Sequence, residues 1–249
     1  MHQTGMCPGM PTELLFRDNA YARETPARIV AAGADGVVLD RTVFYAASGG
    51  QPGDTGRILR ADGSALAVAD TVKGTDGVIL HRLADGAAPP AAGETVTAVI
   101  DWERRHRLMR MHTALHLLCS LIPGAAVTGG AIGDGKGRLD FDLPEPPAKE
   151  ALNAGLAALV AADHPVAIEW IGEEELDRNP GLVRTLSVKP PRGAGRVRLV
   201  RIGAGDPPVD LQPCGGTHVR STGEIGRVSI AKVENKGRQN RRIALVLEP

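Results

Sequence analysis

The sequence predicts an α+β protein with a small β-barrel-like domain at residues 1–100 and, at residues 101–249, a second domain that joins helices to an antiparallel sheet. Residues 13–99 form short alternating apolar stretches separated by Gly, Pro and Asp, which is typical of a small antiparallel barrel or sandwich. After residue 101 the apolar spacing becomes helical, and the later strands and helices follow in an irregular order. That order favours an α+β domain over a regular βαβ array.

The second domain is predicted to begin with an amphipathic helix. Asp101 can cap a helix from about Trp102 to Leu121, in which apolar residues recur every three or four positions. Two strand-like runs follow, AAVTGGAIG and GRLDFDL, joined by a turn. The remaining predicted elements are helices near residues 147–162 and 173–177 and strands in the runs VAIEWIG, RVRLVRIG, EIGRVSIAKVEN and RRIALVLE.

The composition excludes several classes of protein. With 43% apolar and 23% charged residues in 249, the chain is globular rather than disordered or fibrous. Its three cysteines, Cys7, Cys119 and Cys214, are too few and too far apart for a disulfide framework, so we expect a reducing, cytoplasmic location. No apolar run approaches the ~18 residues needed to span a bilayer, and we expect neither a membrane segment nor an export signal.

Charge is balanced overall but distributed unevenly. Basic and acidic residues both number 29, yet residues 1–100 hold eight basic and eleven acidic ones, which leaves the remainder net positive. Two basic runs occupy residues 178–205 and 227–242. Such runs are usually solvated surface, but their restriction to one part of the chain favours a polyanionic partner such as nucleic acid.

His112 and His116 lie four residues apart inside the predicted helix, so their imidazoles project from one face in a chelating arrangement. An isolated pair of this kind can also be two histidines packed on an amphipathic helix. The same spacing occurs in HExxH metalloproteases, where a Glu after the first His is the general base. Here that position is Thr113, which disfavours a protease.

Cys214-Gly-Gly-Thr-His218 supplies a second pair of metal-ligating residues. We expect a tight turn that brings sulfur and imidazole together, with the glycines adopting backbone conformations that other residues resist. Taken alone, the motif is equally a loop with an incidental thiol. The two pairs together predict a His3Cys zinc site, because zinc suits this mixture of nitrogen and sulfur ligands.

Four motifs, in this order, carry a family resemblance. HTALHLL, GRLDFDL, CGGTH and KGRQNRRI resemble the editing domain of alanyl-tRNA synthetase and its free-standing relatives, the AlaX-type alanyl-tRNA editing proteins; the threonyl-tRNA synthetase editing domain is a more distant relative. FYAASGGQPGDTG, at residues 44–56, is similar to the glycine-rich motif in the accessory domain of the longer AlaX proteins. The chain has no room for an aminoacylation domain, so the resemblance is to the stand-alone editor. It departs from its relatives at Ser48, where a third glycine is common, and at Leu115, where the synthetases usually have Thr.

The resemblance implies hydrolysis of the ester that joins a wrong amino acid, chiefly serine with glycine as a further candidate, to the terminal adenosine of tRNA(Ala). Alanine and serine differ by one hydroxyl, so a pocket that admits alanine cannot strongly exclude serine, and a second site supplies the discrimination. By resemblance, one zinc ion is bound by His112, His116, Cys214 and His218. Either one ligand yields to water or substrate, or zinc positions the substrate's amino group.

Further roles follow from the resemblance. Thr128 is the preferred reader of the serine hydroxyl and Thr113 the second choice, although a strand threonine is usually only a half-buried β-former. In the glycine-rich loop, Gln51 or Asp54 would contact the substrate, unless the loop is only a wide turn. Phosphate contacts are expected from Arg238, Arg241 and Arg242.

Two other functions are compatible with the sequence. A zinc-stabilised RNA-binding module without catalysis would also have a saturated metal site and basic strands. A metallohydrolase of small esters or amides would leave the basic runs without a purpose. The sequence leaves the oligomeric state open.

Overall fold

The computed structural model describes residues 11–84, 88–186, 193 and 195–248. The chain divides into two compact units, Met1–Ser48 with Pro52–Arg105, and Gly49–Gln51 with His106–Pro249. Three residues of the glycine-rich motif therefore belong to the second unit. Cys7, and Lys189 and Arg192 of the first basic run, lie outside the described residues.

The first unit contains a closed barrel of six antiparallel strands in the order β2-β3-β7-β6-β5-β8. These strands are β2 (Glu24–Gly33), β3 (Gly36–Leu39), β5 (Gly56–Arg60), β6 (Ala65–Lys73), β7 (Ile79–Leu83) and β8 (Thr95–Ile100). Two short strands, β1 (Glu13–Leu14) and β4 (Arg41–Thr42), pair in parallel with each other and form a separate two-stranded sheet. The barrel predicted from the alternating pattern is confirmed.

The buried polar side chains of this unit include His81 and the Asp54–Arg105 ion pair. His81 is fully buried, with its Nε2 2.8 Å from Thr42 Oγ1 and its Nδ1 3.0 Å from the carbonyl oxygen of Val37. Asp54 accepts hydrogen bonds from Arg105 Nε at 2.9 Å and from the Tyr45 amide at 2.6 Å. Both members of this ion pair are buried, so the Asp54 carboxylate, considered above for substrate contact, is instead committed to holding Arg105.

The second unit contains two antiparallel sheets rather than one. The four-stranded sheet has the order β14-β15-β10-β9 and the three-stranded sheet the order β11-β12-β13. Their strands are β9 (Ala126–Gly133), β10 (Lys136–Asp142), β11 (Val166–Gly172), β12 (Arg196–Ile202), β13 (Asp210–Pro213), β14 (Val228–Asn235) and β15 (Asn240–Leu247). The chain as described is thus mostly β, with few helices.

The helices are α1 (Trp102–Ser120), α2 (Lys149–Ala161) and α3 (Glu173–Arg178), close to their predicted positions. Asp101 caps α1 as expected, since its side chain accepts a hydrogen bond from the Arg104 amide at 3.1 Å. Beyond its first turn α1 is buried on most sides, through Leu108, Met109, Met111, Ala114, Leu115, Leu117 and Leu118. No helix in the described ranges is both long and apolar enough to cross a membrane.

Candidate metal centre

The two predicted pairs of ligands come together in the second unit. His112 and His116 lie one turn apart on α1, and Cys214 and His218 lie on the loop that follows β13. One ligand atom from each of the four residues lies within 4.8 Å of the others. Cys214 Sγ is 3.5 Å from His112 Nε2 and 3.3 Å from His218 Nε2.

The two distances from Cys214 Sγ, 3.5 and 3.3 Å, fit ligands of a single tetrahedral ion. Zinc bonds of ~2.1 Å to nitrogen and ~2.3 Å to sulfur place neighbouring ligand atoms about 3.6 Å apart. The three histidines are each less than a tenth exposed, so a bound ion would be shielded from bulk water. Three imidazoles and one thiolate are also the donor types that zinc accepts.

Each imidazole is oriented by a partner at Nδ1, which leaves Nε2 free for the centre. The pairs are His112 with Gln51 Oε1 at 2.9 Å, His116 with Asp210 Oδ2 at 2.7 Å, and His218 with Thr113 Oγ1 at 3.2 Å. Partners of this kind fix the tautomer and the ring plane of metal-ligating histidines. All three rings are therefore held in orientations that a bound metal ion could use.

The donor and acceptor roles are set by the surrounding bonds. Gln51 donates from its amide nitrogen to Thr217 Oγ1 at 2.8 Å, so its oxygen must face the protonated Nδ1 of His112. Thr113 donates to the carbonyl oxygen of Met109 at 3.0 Å, so its hydroxyl accepts from His218. Both histidines consequently carry their proton on Nδ1.

Gln51 reaches the centre because of the glycine-rich loop. Gly50 adopts a left-handed φ of +83°, and a Cβ there would lie 3.0 Å from the carbonyl oxygen of Gly130. The Gly50 carbonyl accepts a hydrogen bond from the Ile132 amide at 2.8 Å, which attaches the loop to β9. Gln51 itself is only 2% exposed. Its side chain contacts the candidate ligand His112 and Thr217, the neighbour of His218.

One glycine of CGGTH is required for close packing. A Cβ on Gly216 would lie 2.2 Å from Cε1 of His112 and 2.9 Å from Oε1 of Gln51. Neither Gly215 nor Gly216 has a φ in the left-handed region, so the expectation that both serve unusual backbone conformations is wrong. Gly216 is instead the position where the ligand loop passes against the His112 ring.

The electrostatics of the cluster favour a Cys214 thiolate beside a neutral His218 imidazole. Burial opposes ionisation of Cys214, but the adjacent His112 and His218 outweigh it and hold the pKa of the thiol well below its ordinary value. Burial, with the nearby His112, keeps the pKa of His218 well below its usual range. Burial also favours a neutral His116, but Asp210 and Cys214 outweigh it and raise its pKa to about 10. A metal ion must therefore displace a proton from His116.

Asp210 is a side chain of the candidate site that the sequence did not predict. It lies on β13, four residues before Cys214, and is buried beside His116. A single Asp in a strand carries no spacing signal that would connect it to a histidine 94 positions away.

The two threonines considered as substrate readers have different surroundings. The Thr128 hydroxyl, on β9, lies 3.1 Å from both the Asp140 carbonyl and Asn240 Oδ1, and is half-buried. The Thr113 hydroxyl is fully buried, and besides Met109 and His218 it accepts a hydrogen bond from the Val219 amide at 3.3 Å. Thr113 thus holds a candidate ligand and the loop that carries it.

The three C-terminal arginines are not equivalent. Arg238 is exposed on the turn between β14 and β15. Arg241 is buried and donates to the carbonyl oxygens of Gly237, at 2.9 Å, and Pro144. Arg242 forms a bidentate ion pair with Asp140 at 2.8 and 2.9 Å. Of these three, Arg238 is the one whose guanidinium is open to a phosphate.

Comparison with known proteins agrees with this site. The model of the threonyl and alanyl tRNA synthetase second additional domain matches residues 197–244, which include CGGTH. The model of class II (A) tRNA synthetases matches residues 15–104. These two matches indicate a relative of the class II tRNA synthetases, with the second additional domain of the threonyl and alanyl enzymes.

Full-length relatives narrow the class. The alanyl-tRNA editing protein AlaX-M of Methanosarcina acetivorans is 37% identical over 95% of this chain and 99% of its own length. AlaX-M of Saccharolobus solfataricus is 33% identical over 96% of this chain and 100% of its own length. The alanine–tRNA ligase of Pyrobaculum arsenaticum is 38% identical over 90% of this chain but only 25% of the ligase. The chain belongs to the AlaX-M family of alanyl-tRNA editing proteins, and such proteins are deacylases that act on mischarged tRNA.

Proposed function

We propose that this chain hydrolyses the ester between a wrongly attached amino acid and the 3′-terminal adenosine of tRNA(Ala), with serine as its chief substrate and glycine as a second. One zinc ion would be held by His112, His116, Cys214 and His218. The observation that carries the proposal is the convergence of these four ligand atoms within 4.8 Å in a member of the editing family. The cytoplasmic location expected from the cysteines stays a prediction.

When bound, zinc would supply a Lewis acid and a positive charge against which the aminoacyl group is oriented. The chain prepares the site by holding protons in place. Gln51 and Thr113 accept the Nδ1 protons of His112 and His218, so both Nε2 lone pairs face the centre. Asp210 does the same for His116 and adds a negative charge beside it.

The Cys214 thiolate is stabilised from the main chain as well. The Gly216 amide lies 3.5 Å from Cys214 Sγ and donates toward it. Arg198 donates to the carbonyl oxygens of Cys214 at 2.6 Å and Gly216 at 3.1 Å, which keeps the ligand loop against β12. These bonds hold the loop that carries Cys214 and His218.

We propose Thr128 as the group that recognises the serine hydroxyl. Its hydroxyl shares one hydrogen between two acceptors, the Asp140 carbonyl and Asn240 Oδ1, and these two bonds use neither of its lone pairs. Thr113, the alternative, already uses its hydroxyl on three groups. A group that exchanges partners is better suited to bind a substrate hydroxyl.

Deacylation assays test this function. Purified chain would be mixed with seryl-, glycyl- and alanyl-tRNA(Ala), with and without a chelator. We expect seryl-tRNA(Ala) to be hydrolysed faster than alanyl-tRNA(Ala), and chelation to abolish activity that added zinc restores. A chain that binds one zinc and tRNA but leaves all three esters intact would instead support a zinc-stabilised RNA-binding module, which four protein ligands on one ion also favour.

A further inference from the structure

The strand β11 exposes large apolar side chains on the edge of the three-stranded sheet. It pairs with β12 on one side and forms the end of that sheet's strand order. Ile168 is 38% and Trp170 39% exposed, which places them among the four exposed large apolar residues in the described part of the chain. They are two residues apart on one strand and therefore share a face.

That face is the one directed at the candidate metal centre. Ile171, Leu199 and Leu211, on the three successive strands, belong to one apolar cluster and so mark the opposite face of the sheet. Side chains alternate along a strand, so the intervening residue Trp170 points the other way. Arg198, its direct partner across the ladder, does so too.

Trp170, Arg198 and Cys214 form a row across the sheet. Trp170 is paired with Arg198, and the Cys214 amide donates to the Arg198 carbonyl at 3.1 Å, which extends the ladder one residue beyond β13. Directly opposed residues in antiparallel strands project from the same face. Two strand spacings separate Trp170 from Cys214, or about 10 Å. Trp170 thus lies on the same face of the sheet as the candidate ligand Cys214, with Arg198 between them.

A cation accompanies the exposed ring. The Arg196 guanidinium lies 4.5 Å from the centroid of the Trp170 ring, and Arg196 is itself exposed. Aromatic rings that stack unpaired bases, next to arginines that attract the backbone, are the means by which proteins hold single-stranded nucleic acid. A two-residue apolar patch with a cation above it is small for a protein interface but matches one base.

We propose that Trp170 and Arg196 form a stacking platform for an unpaired base at the 3′ end of the tRNA, so that the terminal ester is delivered to the metal centre. This inference rests on the proposed function, because it assumes an aminoacylated RNA end as the ligand. The terminal nucleotide and its neighbour can span the separation between indole and Cys214. Trp170 therefore binds and positions the RNA, while the residues around the metal act on the ester.

Binding can be measured directly through the indole. The chain has two tryptophans, so Trp102→Phe leaves Trp170 as its only indole fluorophore. The probe is an RNA hairpin with a single-stranded CCA tail, and its control is the same hairpin with a blunt end. We expect the tailed hairpin to quench Trp170 fluorescence and the blunt hairpin to leave it unchanged. Equal quenching by both, or by neither, would overturn the proposal.

Single-turnover deacylation of seryl-tRNA(Ala) provides the second measurement. Trp170→Ala should raise the enzyme concentration at half-maximal rate on the order of tenfold, since loss of a base stack weakens binding by that amount. The rate at saturation and the zinc content should be unchanged, and Trp170→Phe should retain most of the affinity. Val30→Ala is the matched control, because Val30 is equally exposed, at 39%, but lies on the barrel strand β2.

The outcomes separate this inference from the proposed function. Intact deacylation with the same half-saturation in Trp170→Ala would overturn the stacking platform and leave the proposed function standing. Quenching by the tailed hairpin alone, in a chain that cleaves no ester, would support the stacking platform and overturn the proposed function. If sedimentation showed a dimer that Trp170→Ala dissociates, with RNA affinity unaltered, the patch would be a contact between copies of the chain, and the proposal would be wrong.

Discussion

The side-chain oxygen of Gln51 accepts a hydrogen bond from Nδ1 of His112 at 2.9 Å, across 61 positions of sequence. The amide nitrogen of Gln51 donates to Thr217, which lies between the Gly-Gly pair and His218 in CGGTH. One glutamine side chain therefore contacts both the helix and the loop that carry the candidate ligands. The glycine-rich motif therefore helps to support the candidate metal centre.

We expect Gln51→Leu to weaken zinc binding by about 10- to 100-fold, because loss of an outer hydrogen-bond partner typically costs a metal site that much. The volume is similar, so the fold should persist. Zinc affinity measured by chelator competition checks this, with Gln239→Leu on the exposed β14–β15 turn as the control. Wild-type affinity in Gln51→Leu would show that the His112 contact is dispensable.

His112→Ala and Cys214→Ala should each lose zinc and deacylation together. Binding in the wild type should weaken as pH falls, because the ligands must be deprotonated and protons compete most strongly at His116, whose pKa is raised to about 10. Elemental analysis and chelator competition at several pH values measure both effects. Full zinc content in either variant would mean that the ligand assignment is wrong.

The two threonine variants should differ in kind. Thr128→Val should slow hydrolysis of seryl-tRNA(Ala) several-fold more than that of glycyl-tRNA(Ala), since one hydrogen bond is worth about 1 kcal/mol and glycine has no hydroxyl to miss it. Thr113→Val should slow both equally and weaken zinc binding, because it removes the acceptor for His218 Nδ1. Deacylation rates on the two substrates test this difference. If Thr128→Val slowed both substrates equally, Thr128 would not be the group that recognises the serine hydroxyl.

The sequence predicted those features that are carried by local spacing. The pair His112 and His116 follows from helical periodicity, and the barrel from alternating strands bounded by turns. Asp210 and the contact between Gln51 and His112 could not be predicted in this way, because each depends on how distant segments meet.

Charge in the sequence was an incomplete guide to exposure. Arg241 lies in a basic run but is buried among carbonyl oxygens, and Arg242 is paired with Asp140 across two neighbouring strands. A count of charges cannot distinguish an arginine that faces solvent from one that satisfies main-chain acceptors. Arg238 is exposed on the β14–β15 turn, whereas main-chain oxygens bind Arg241 and a carboxylate binds Arg242.

Acid should destabilise the barrel through His81. Burial lowers its pKa in the folded chain to about 4, against an ordinary 6.5, so the unfolded chain takes up the proton first as pH falls. Stability is therefore present above pH 6.5 and lost progressively down to about pH 4, by on the order of 3 kcal/mol. The non-titrating variant His81→Gln should be less stable at pH 7 but should lack this part of the pH dependence. Denaturant unfolding measures the free energy of unfolding of both proteins across this pH range. If the two free energies changed with pH in parallel, the role of His81 would be contradicted.

Substitution of Arg238 should change tRNA binding, whereas substitution of Arg241 should change the stability of the fold. Arg238→Gln changes an exposed side chain, so its stability should stay within about 0.5 kcal/mol of wild type. If Arg238 contacts a phosphate, its loss should weaken tRNA binding at low salt and reduce the slope of log affinity against log salt by about 1.

Arg241→Gln leaves the carbonyl oxygens of Gly237 and Pro144 without their donor, and should cost about 1–3 kcal/mol of stability. Because Arg241 is buried, its variant should keep the wild-type salt slope wherever it remains folded. Thermal unfolding and tRNA titrations at several salt concentrations measure the two effects, and a reduced slope in Arg241→Gln with an unchanged one in Arg238→Gln would reverse the assignment.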